Sequence, residues 1–311
     1  MARRNDLYNQ TDLTRPCVGE FKSLDDIKRF YNGRGAVIFQ PGTPKGPALK
    51  ECYRLQAPVK QDVNLVEILK ACYQERGVNL KWRFQNRGTC VGQGAATAAD
   101  MVMAVAWLVF DKKVPGRAAV ATGYAGSRVE IAGRPGGWDG SNGVWIAEFM
   151  TKWGVAVLPE IGLDEEELDA DERLAVQWAA SRAGVPEKFE LIAKERPIVR
   201  APQVTTAEEL IAALESGNPV IHGSNLIPYD RDTNGVVSVY RSRGGHLTVF
   251  GAIRWNSAGD PEIMYTNSWG EGWGRDGCVW LTMKDAVRIL GYDDSFAFIG
   301  IQGLATAIPL L

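Results

Sequence analysis

The stretch from Cys90 to Phe110 limits the possible folds of this chain more than any other part of the sequence. It is rich in alanine and methionine, contains no proline, and follows Thr89, a residue type that often caps helices. Its apolar residues would surround the axis of a helix on nearly all sides, so such a helix must be buried. We therefore predict a long helix at the centre of a lobe, with Cys90 at its amino terminus.

Composition places the chain among ordinary globular proteins. Of its 311 residues, 45% are hydrophobic and 23% are charged, which supplies enough apolar material for a large core. The 35 basic and 37 acidic side chains leave a net charge of −2, whereas a dedicated nucleic-acid-binding protein usually carries a basic excess. The most apolar run, residues 101–110, has only about half the length of a bilayer-spanning helix. We therefore expect neither a nucleic-acid partner nor a membrane partner.

The amino terminus and the cysteines bear on location. Arg3 and Arg4 are followed by no apolar stretch, so we predict no secretory signal. The five cysteines are scattered, odd in number and without a CxxC pair, which argues against a disulfide framework and a zinc site. They are Cys17, Cys52, Cys72, Cys90 and Cys278. We therefore expect thiols in a reducing compartment and a cytoplasmic or virion-associated protein.

The pattern of the chain changes from helical to strand-like near residue 195. Helices are predicted at residues 24–31, 64–76, 90–110, 142–153, 164–183 and 206–216. Short β-branched and aromatic runs predict strands at residues 219–223, 236–240, 246–255, 262–267, 279–283 and 296–301. Helices followed by strands predict an α+β protein with two unlike lobes.

These patterns suggest three regions. We expect an amino-terminal extension at residues 1–60, a helical lobe at residues 61–195 and a β-rich lobe at residues 196–311. The extension is compatible with a propeptide, an assembly arm or a segment that wraps a lobe, and the sequence does not decide among these.

Histidine is scarce, which narrows the candidates for a general base. The chain contains only His222 and His246, so a histidine base must be one of them. His246 follows two glycines and opens an apolar strand, which is a suitable place for proton transfer. Cys90 should lie at a helix amino terminus, where the partial positive charge favours a thiolate and backbone N–H groups can bind an oxyanion. Taken singly, a lone histidine is more often structural than catalytic, and a cysteine at a helix start is structural about as often as catalytic.

A third motif follows a predicted strand. Residues 265–274 read YTNSWGEGWG, with two Trp-Gly pairs four residues apart. The side-chain oxygen of Asn267 can accept a hydrogen bond from an imidazole N–H and so fix the tautomer of the ring. Trp269, two residues on, can shield that hydrogen bond from water.

Together these motifs carry a resemblance to the papain-like cysteine peptidases, and most closely to their bacterial and phage branch. The matching strings are RGTCVG at 87–92, GGHLTVFGAI at 244–253 and NSWGEGWGRDGCVWL at 267–281. Weaker matches lie at residues 138–141 and 208–220, and the resemblance extends over about residues 80–305. It implies a papain-like fold in which a helical lobe and a β-barrel-like lobe enclose a cleft.

The resemblance also implies a chemistry. Cys90 matches the nucleophile, His246 the base and Asn267 the orienting residue of a thiol peptidase acting on polypeptides, with no cofactor and no metal. The groove for substrate would include Asp139, Gly140 and Ser141, and next to the catalytic residues Gly245 and Trp269. His222 is expected to be structural, on a strand that borders the cleft.

The sequence departs from the family pattern before the nucleophile. The family usually has its oxyanion-hole glutamine six residues before the cysteine, where this chain has Phe84. Gln85 can serve if the loop is one residue shorter, and we predict that it does. Otherwise the Cys90 N–H acts with another donor. A rival register would place Gln93 at the nucleophile position and imply an inactive protein, but RGTCV is itself the bacterial type of nucleophile motif.

Two other functions remain open at this stage. One is a phage virion or assembly protein that uses or retains a papain-like fold, with partners bound through residues 1–60. The other is a peptidoglycan amidase or a different acyl transferase that uses the same Cys–His chemistry.

Overall fold

A computed structural model describes residues 48–52, 58–136, 140–229 and 235–304 of the chain. The predicted helix at residues 24–31 and most of the predicted extension lie outside the described residues. The first described segment is held by the strand-rich part of the chain, because Leu49 N donates to the Gln203 carbonyl at 2.8 Å.

The described helices are numbered in chain order. They are α1 (Leu49–Cys52), α2 (Leu65–Glu75), α3 (Cys90–Phe110), α4 (Val120–Gly126), α5 (Gly143–Lys152), α6 (Leu168–Ala180), α7 (Glu187–Ala193), α8 (Ala207–Glu215) and α9 (Met283–Leu290). A π-helical turn at Ser127–Ile131 continues α4, and a 3-10 turn lies at Leu158–Ile161.

The described strands form one large sheet and one small one. They are β1 (Val63–Asn64), β2 (Ile198–Arg200), β3 (Val220–Pro228), β4 (Val236–Val237), β5 (Val239–Trp255), β6 (Pro261–Thr266), β7 (Cys278–Thr282), β8 (Ser295–Ala297) and β9 (Ile299–Ile301). The large sheet has the order β4-β7-β6-β5-β3-β8, with β1 paired to the end of β5, and β2 pairs with β9. The pairs are antiparallel except for β4 with β7.

The long strand β5 is the centre of this sheet. His246 lies in its middle and pairs with Ser224 of β3, while Val249 pairs with Thr266 at the end of β6. Asn267 follows Thr266 directly, so the antiparallel register brings it next to the β5 segment that begins at His246.

Helix α3 packs against β5 and α4 through two glycines. A Cβ on Gly94 would lie 2.6 Å from the Leu247 side chain and 3.3 Å from the Leu247 carbonyl oxygen. A Cβ on Gly92 would lie 2.7 Å from the Tyr124 side chain. Both approaches are too close for any larger residue, so the two glycines set how closely α3 lies to its neighbours.

The burial of α3 explains its composition. By length and composition this helix could cross a membrane, but 89% of its most apolar window is buried inside the protein, as in the core helix of a globular domain. The predicted central helix is confirmed, with the predicted bounds Cys90–Phe110.

Three other predicted helices are confirmed to within one or two residues, and each begins after a capping side chain. Asn64 and Asn142 accept backbone N–H groups at the starts of α2 and α5. Thr206 and Glu209 form a capping box at the start of α8.

The predicted helix at residues 164–183 is wrong at its start. Its acidic residues form a turn before α6, in which Asp164 N donates to the Glu167 carboxylate at 2.8 Å and Glu165 pairs with Arg76. Sequence analysis also missed α4, α7 and α9. It made β3 and β5 too short, because residues 241–245, which are polar or glycine, join the predicted strands 236–240 and 246–255 into one long β5.

The α+β class is confirmed, whereas the lobe boundaries stay a prediction. The strand β1 shows why such boundaries are hard to define, since Val63 lies within the predicted helical lobe but pairs with Ile253 of β5. The described cysteine side chains Cys72, Cys90 and Cys278 are buried and carry thiols rather than disulfides.

Candidate active site

Cys90 is the first residue of α3 and is 9% exposed. The residue before it, Thr89, has non-helical backbone angles but makes no side-chain cap to the helix. The expectation that Thr89 caps α3 is therefore wrong, because its hydroxyl donates to Glu172 of α6 at 2.5 Å instead. The amino terminus of α3 thus lacks the usual hydroxyl cap.

His246 and Asn267 form a buried hydrogen bond, with 2.8 Å between His246 Nε2 and Asn267 Oδ1. The same oxygen accepts the Ser268 backbone N–H at 2.8 Å, which identifies it as the amide oxygen rather than the nitrogen. His246 Nε2 must therefore carry the proton of this bond, which leaves Nδ1 for another partner. The Asn267 backbone is fixed in turn, because Trp82 Nε1 donates to its carbonyl at 2.9 Å.

Two tryptophans cover this pair. Trp269 stacks on the His246 ring with 4.9 Å between centroids, and Trp273 meets Trp269 edge to face at 5.7 Å. His246 is consequently only 8% exposed. Burial lowers the pKa of His246 below its usual 6.5, and the hydrogen bond to Asn267 acts in the opposite direction.

The packing of α3 on β5 brings Cys90 towards His246. Gly94, one turn after Cys90 on the same face of α3, approaches the backbone of Leu247, the residue after His246. The Tyr265 phenol on β6 lies near enough to Cys90 that a charge on the thiol raises the pKa of Tyr265, in addition to the larger effect of burial. The start of α3 therefore lies beside the β5 and β6 segments that hold the imidazole.

Gln85 lies on the loop before α3 and is tied to the residue after Asn267. Gln85 N donates to the Ser268 carbonyl at 2.8 Å, and Ser268 Oγ donates to Gln85 Oε1 at 2.5 Å. The amide nitrogen donates one of its two hydrogens to the Arg87 carbonyl at 3.0 Å. The side chain is thereby held by its oxygen, with its nitrogen directed along the loop that leads to Cys90.

Sequence analysis weighed Phe84 against Gln85 as the oxyanion-hole position and Gln93 against Cys90 as the nucleophile position. Phe84 pairs with Trp269 in an isolated antiparallel bridge, and its side chain is 51% exposed and packs on Gly270. Gln93 is buried one turn inside α3, and its amide nitrogen is 3.5 Å from Thr89 Oγ1. Cys90, and not Gln93, therefore occupies the start of the helix.

Of the predicted groove residues in the turn before α5, the structure describes Gly140 and Ser141. Asp139 lies outside the described residues. Gly140 N donates to the Tyr124 hydroxyl at 3.0 Å, and the Ser141 and Ser127 hydroxyls are 2.8 Å apart, so both groove residues contact helical neighbours.

A carboxylate ties the same turn to the sheet. Asp294, just before β8, accepts Gly143 N at 2.8 Å and Val144 N at 3.0 Å at the start of α5. It also fills the space beside Gly223 of β3, where a Cβ would lie 2.2 Å from its oxygen. Gly223 pairs with Leu247, so the start of α5 lies about one strand away from the residue that follows His246. Sequence analysis gave no signal for Asp294.

The two remaining predicted residues, Gly245 and His222, differ in their exposure to solvent. Gly245 is exposed and has open space where a Cβ would point, directly before His246. His222 is 1% exposed, bonds Thr248 Oγ1 at 3.0 Å and stacks on Phe250 at 3.8 Å. Burial lowers the pKa of His222 well below 6.5, which keeps the ring neutral and fits its expected structural role.

Sequence analysis also missed two acids of α6 that face the core. Asp171 and Glu172 share a face of this helix with Ala175 and Ala179, and both are buried. A helical projection of the sequence could have flagged two acids on an apolar face, but not the groups that they bind. Within the described residues no group of three or more possible ligands could hold a metal ion.

Comparison with solved structures shows which known fold the chain resembles. No protein-family model and no curated protein sequence matches the chain. Among solved structures it is similar to xylellain, a cysteine protease from Xylella fastidiosa, with a TM-score of 0.57 and 15% identity over 87% of this chain and 96% of that one. It is also similar to a procathepsin B from Trypanosoma congolense, with a TM-score of 0.52 and 14% identity over 91% of this chain and 89% of that one.

The chain has a papain-like fold. The predicted two-lobe α+β architecture is thereby confirmed. The placement in the bacterial and phage branch stays a prediction, since the likeness at these identities extends to the fold alone.

Proposed function

We propose that this protein is a thiol peptidase that hydrolyses peptide bonds of polypeptides, with Cys90 as nucleophile and His246 as general base. The observation that carries this proposal is the shielded hydrogen bond between His246 Nε2 and Asn267 Oδ1, on the strand against which the helix beginning at Cys90 packs. A histidine oriented in this way is prepared to exchange a proton through its other nitrogen, as in nucleophile–base–orienter triads.

The proposed reaction starts from a thiolate–imidazolium pair. Because His246 Nε2 donates to Asn267, Nδ1 is the nitrogen that takes the thiol proton from Cys90. The thiolate attacks the peptide carbonyl carbon, and Nδ1–H then protonates the leaving amine, which gives a thioester. A water molecule loses its proton to Nδ1 and hydrolyses the thioester, which returns the thiol.

Gln85 is proposed as a donor to the oxyanion. Its amide oxygen is bonded by Ser268 and one amide hydrogen by Arg87, so the second hydrogen can be donated to the substrate oxygen. The N–H groups at the start of α3 would add to this, and the helix dipole would favour the negative charge.

Substrate is proposed to lie along the turn that precedes α5. Asp139, Gly140 and Ser141 would form one wall of the groove, and Gly245 would face substrate from the strand that carries His246. Trp269, which stacks on His246, would border the leaving-group side.

Thiol labelling together with a proteolysis assay tests the proposal. Iodoacetamide should modify Cys90 at least about 100-fold faster than Cys72 or Cys278, because burial raises the pKa of each of those two thiols to about 12. The purified protein should hydrolyse casein, and Cys90→Ala should not, while Cys72→Ala serves as the matched control.

Two results would contradict this assignment. One is equally slow labelling of all cysteines, and the other is casein hydrolysis that survives Cys90→Ala. Hydrolysis of peptidoglycan fragments but not of casein would instead assign the same residues to an amidase. A cytoplasmic or virion-associated location, and assembly partners for residues 1–60, stay predictions.

A further inference from the structure

The loop that leads to Cys90 is bound by a single buried carboxylate from a distant helix. Glu172 of α6 is 3% exposed. Its two oxygens accept the Asn86 N–H at 3.1 and 3.0 Å, one oxygen accepts the Arg87 N–H at 3.2 Å, and the same oxygen accepts the Thr89 hydroxyl at 2.5 Å. Three residues of a five-residue loop therefore depend on one side chain.

Each of these contacts places a donor group of the loop against the Glu172 carboxyl group. A carboxylate is an acceptor only, and each of the three loop groups at Asn86, Arg87 and Thr89 is a donor. A buried charge is costly unless it is fully hydrogen-bonded, so this acid is satisfied only while the loop keeps its shape. Glu172 and the loop conformation therefore support each other.

The carboxylate acts on both sides of the proposed oxyanion hole. Glu172 fixes the Arg87 backbone, and the Arg87 carbonyl in turn accepts the Gln85 amide nitrogen at 3.0 Å. Glu172 also engages the Thr89 hydroxyl, which would otherwise be available to cap the first N–H groups of α3. One acid thus holds the side-chain donor in place and keeps a competing acceptor away from the backbone donors.

We propose that Glu172 is a positioning residue that shapes the oxyanion hole for the proposed peptidase reaction. This inference rests on the proposed function, because it assigns Glu172 a role in that same site. Glu172 does not touch substrate in this scheme. It acts through Arg87 on Gln85, and through Thr89 on the start of α3.

Two reactions of the same thiol separate this role from a merely structural one. Alkylation by iodoacetamide displaces iodide from a saturated carbon and forms no oxyanion, so it reports the thiolate of Cys90 alone. Hydrolysis of a peptide ester or amide passes through an oxyanion and reports the hole as well. A positioning residue for the hole should affect the second reaction and leave the first nearly unchanged.

The test compares Glu172→Gln with the parent protein. The new amide nitrogen would face a donor, so the loop loses part of its support while the volume of the side chain is kept. We expect kcat for peptide hydrolysis to fall about 10- to 100-fold, with KM and the iodoacetamide rate of Cys90 each within about threefold of the parent.

A second pair of variants keeps the test decisive if Glu172→Gln folds poorly. Thr89→Val removes one donor to Glu172 at nearly constant shape, and should lower kcat about 3- to 10-fold. Thr89→Ser keeps the hydroxyl and should restore the parent kcat. Asp171→Asn is the matched control, because this neighbouring buried acid binds Val120 N and Ala121 N instead of the loop.

The outcomes distinguish failure of the role proposed for Glu172 from failure of the proposed peptidase function. A parent-like kcat in Glu172→Gln and Thr89→Val overturns the role of Glu172 and leaves the peptidase assignment intact. Equal losses of alkylation and hydrolysis in those variants also overturn it, because they show a general collapse of the site. A parent protein without rapid Cys90 labelling and without hydrolysis overturns the proposed function itself.

Discussion

At the scale of single residues, the site balances burial against hydrogen bonding at one imidazole. Trp269 excludes water from His246, which disfavours the imidazolium, whereas Asn267 Oδ1 favours it by accepting the Nε2 proton. The proposed mechanism needs the imidazolium, so the amide oxygen offsets a cost that the tryptophan imposes. This balance makes Asn267 more than a geometric support.

Asn267→Ala should therefore change both the rate and its pH dependence. Without the hydrogen bond the ring loses its orientation, and we expect kcat/KM to fall by about 10²-fold. Because this hydrogen bond raises the pKa of His246, its loss lowers that pKa, and the descending alkaline limb of the pH profile should move to lower pH. The measurement is kcat/KM for a peptide substrate between pH 5 and 9.

The exposed residue Asn79 provides the control for that experiment. Asn79→Ala should leave both the rate and the alkaline limb unchanged. An Asn267→Ala protein that is slower but keeps the parent pH profile would show that Asn267 does not act on the charge of His246.

At the scale of elements, the contact between α3 and β5 sets how closely the proposed nucleophile can approach the proposed base. Gly94→Ala should force the Leu247 side chain aside, because the new methyl group would lie 2.6 Å from it. We expect a loss of about 1–3 kcal/mol in the free energy of unfolding and slower alkylation of Cys90. Urea denaturation and iodoacetamide kinetics measure the two effects.

Gly272→Ala is the matched control, since a Cβ there meets open space without a positive φ. It should leave both the unfolding midpoint and the alkylation rate near the parent values. An unchanged unfolding midpoint or an unchanged alkylation rate in Gly94→Ala would refute the idea that this glycine sets the approach of α3 to β5.

A second element-scale prediction concerns Glu130 in the π-helical turn after α4. Burial raises its pKa to about 7, and nearby Glu190 adds repulsion. Since the folded pKa exceeds the unfolded value of 4.5, the contribution of Glu130 to stability is full below about pH 4.5 and is lost as the pH rises to about 7. Glu130→Gln does not titrate, so it should be more stable than the parent at pH 8 and lose this advantage near pH 4.5.

Urea unfolding at pH 4.5 and pH 8 measures this difference. We expect the gain from Glu130→Gln to be about 1–2 kcal/mol larger at pH 8. The exposed Glu187 serves as the control, and Glu187→Gln should show no such difference. An equal effect of Glu130→Gln at both pH values would mean that the pKa of Glu130 is the same in the folded and the unfolded protein.

At the scale of the whole molecule, Asp294 joins the strand-rich part to the helical part. It caps α5 from outside through Gly143 and Val144. Asp294→Ala should cost about 1–2 kcal/mol and expose these two amides to solvent. Hydrogen exchange should then become faster at Gly143 and Val144, whereas the neighbouring variant Asp293→Asn should leave both unchanged. Unaltered exchange in Asp294→Ala would show that α5 is held by other contacts.

How far the sequence predicts the molecule depends on the range of the interactions involved. The helix at Cys90–Phe110 was predictable because every one of its turns is made mostly of apolar residues, which must be buried. Cys90, His246 and Asn267 were recognisable because each stands beside a local motif. The packing of α3 on β5 and the register of β5 with β6, which bring these motifs to the same part of the molecule, come from the fold.

Besides three short helices and the full length of two strands, sequence analysis missed the long-range contacts of several acids. Glu172 binds Thr89 across 83 positions, and Asp171 binds Val120 across 51. No periodicity in the chain encodes such partners. The acidic turn before α6 was mistaken for a helix for the same reason, since Glu165 is held by Arg76 from another helix.

The enclosure of α3 has a consequence for how this scaffold can change over time or in the laboratory. In the proposed mechanism only the first residue of that helix reacts, and the neighbours that pack around its other turns tolerate little change in volume. New selectivity is therefore far easier to introduce on the rim, at the exposed Gly244 and Gly245 and along the turn before α5, than within the helix that supplies the sulfur.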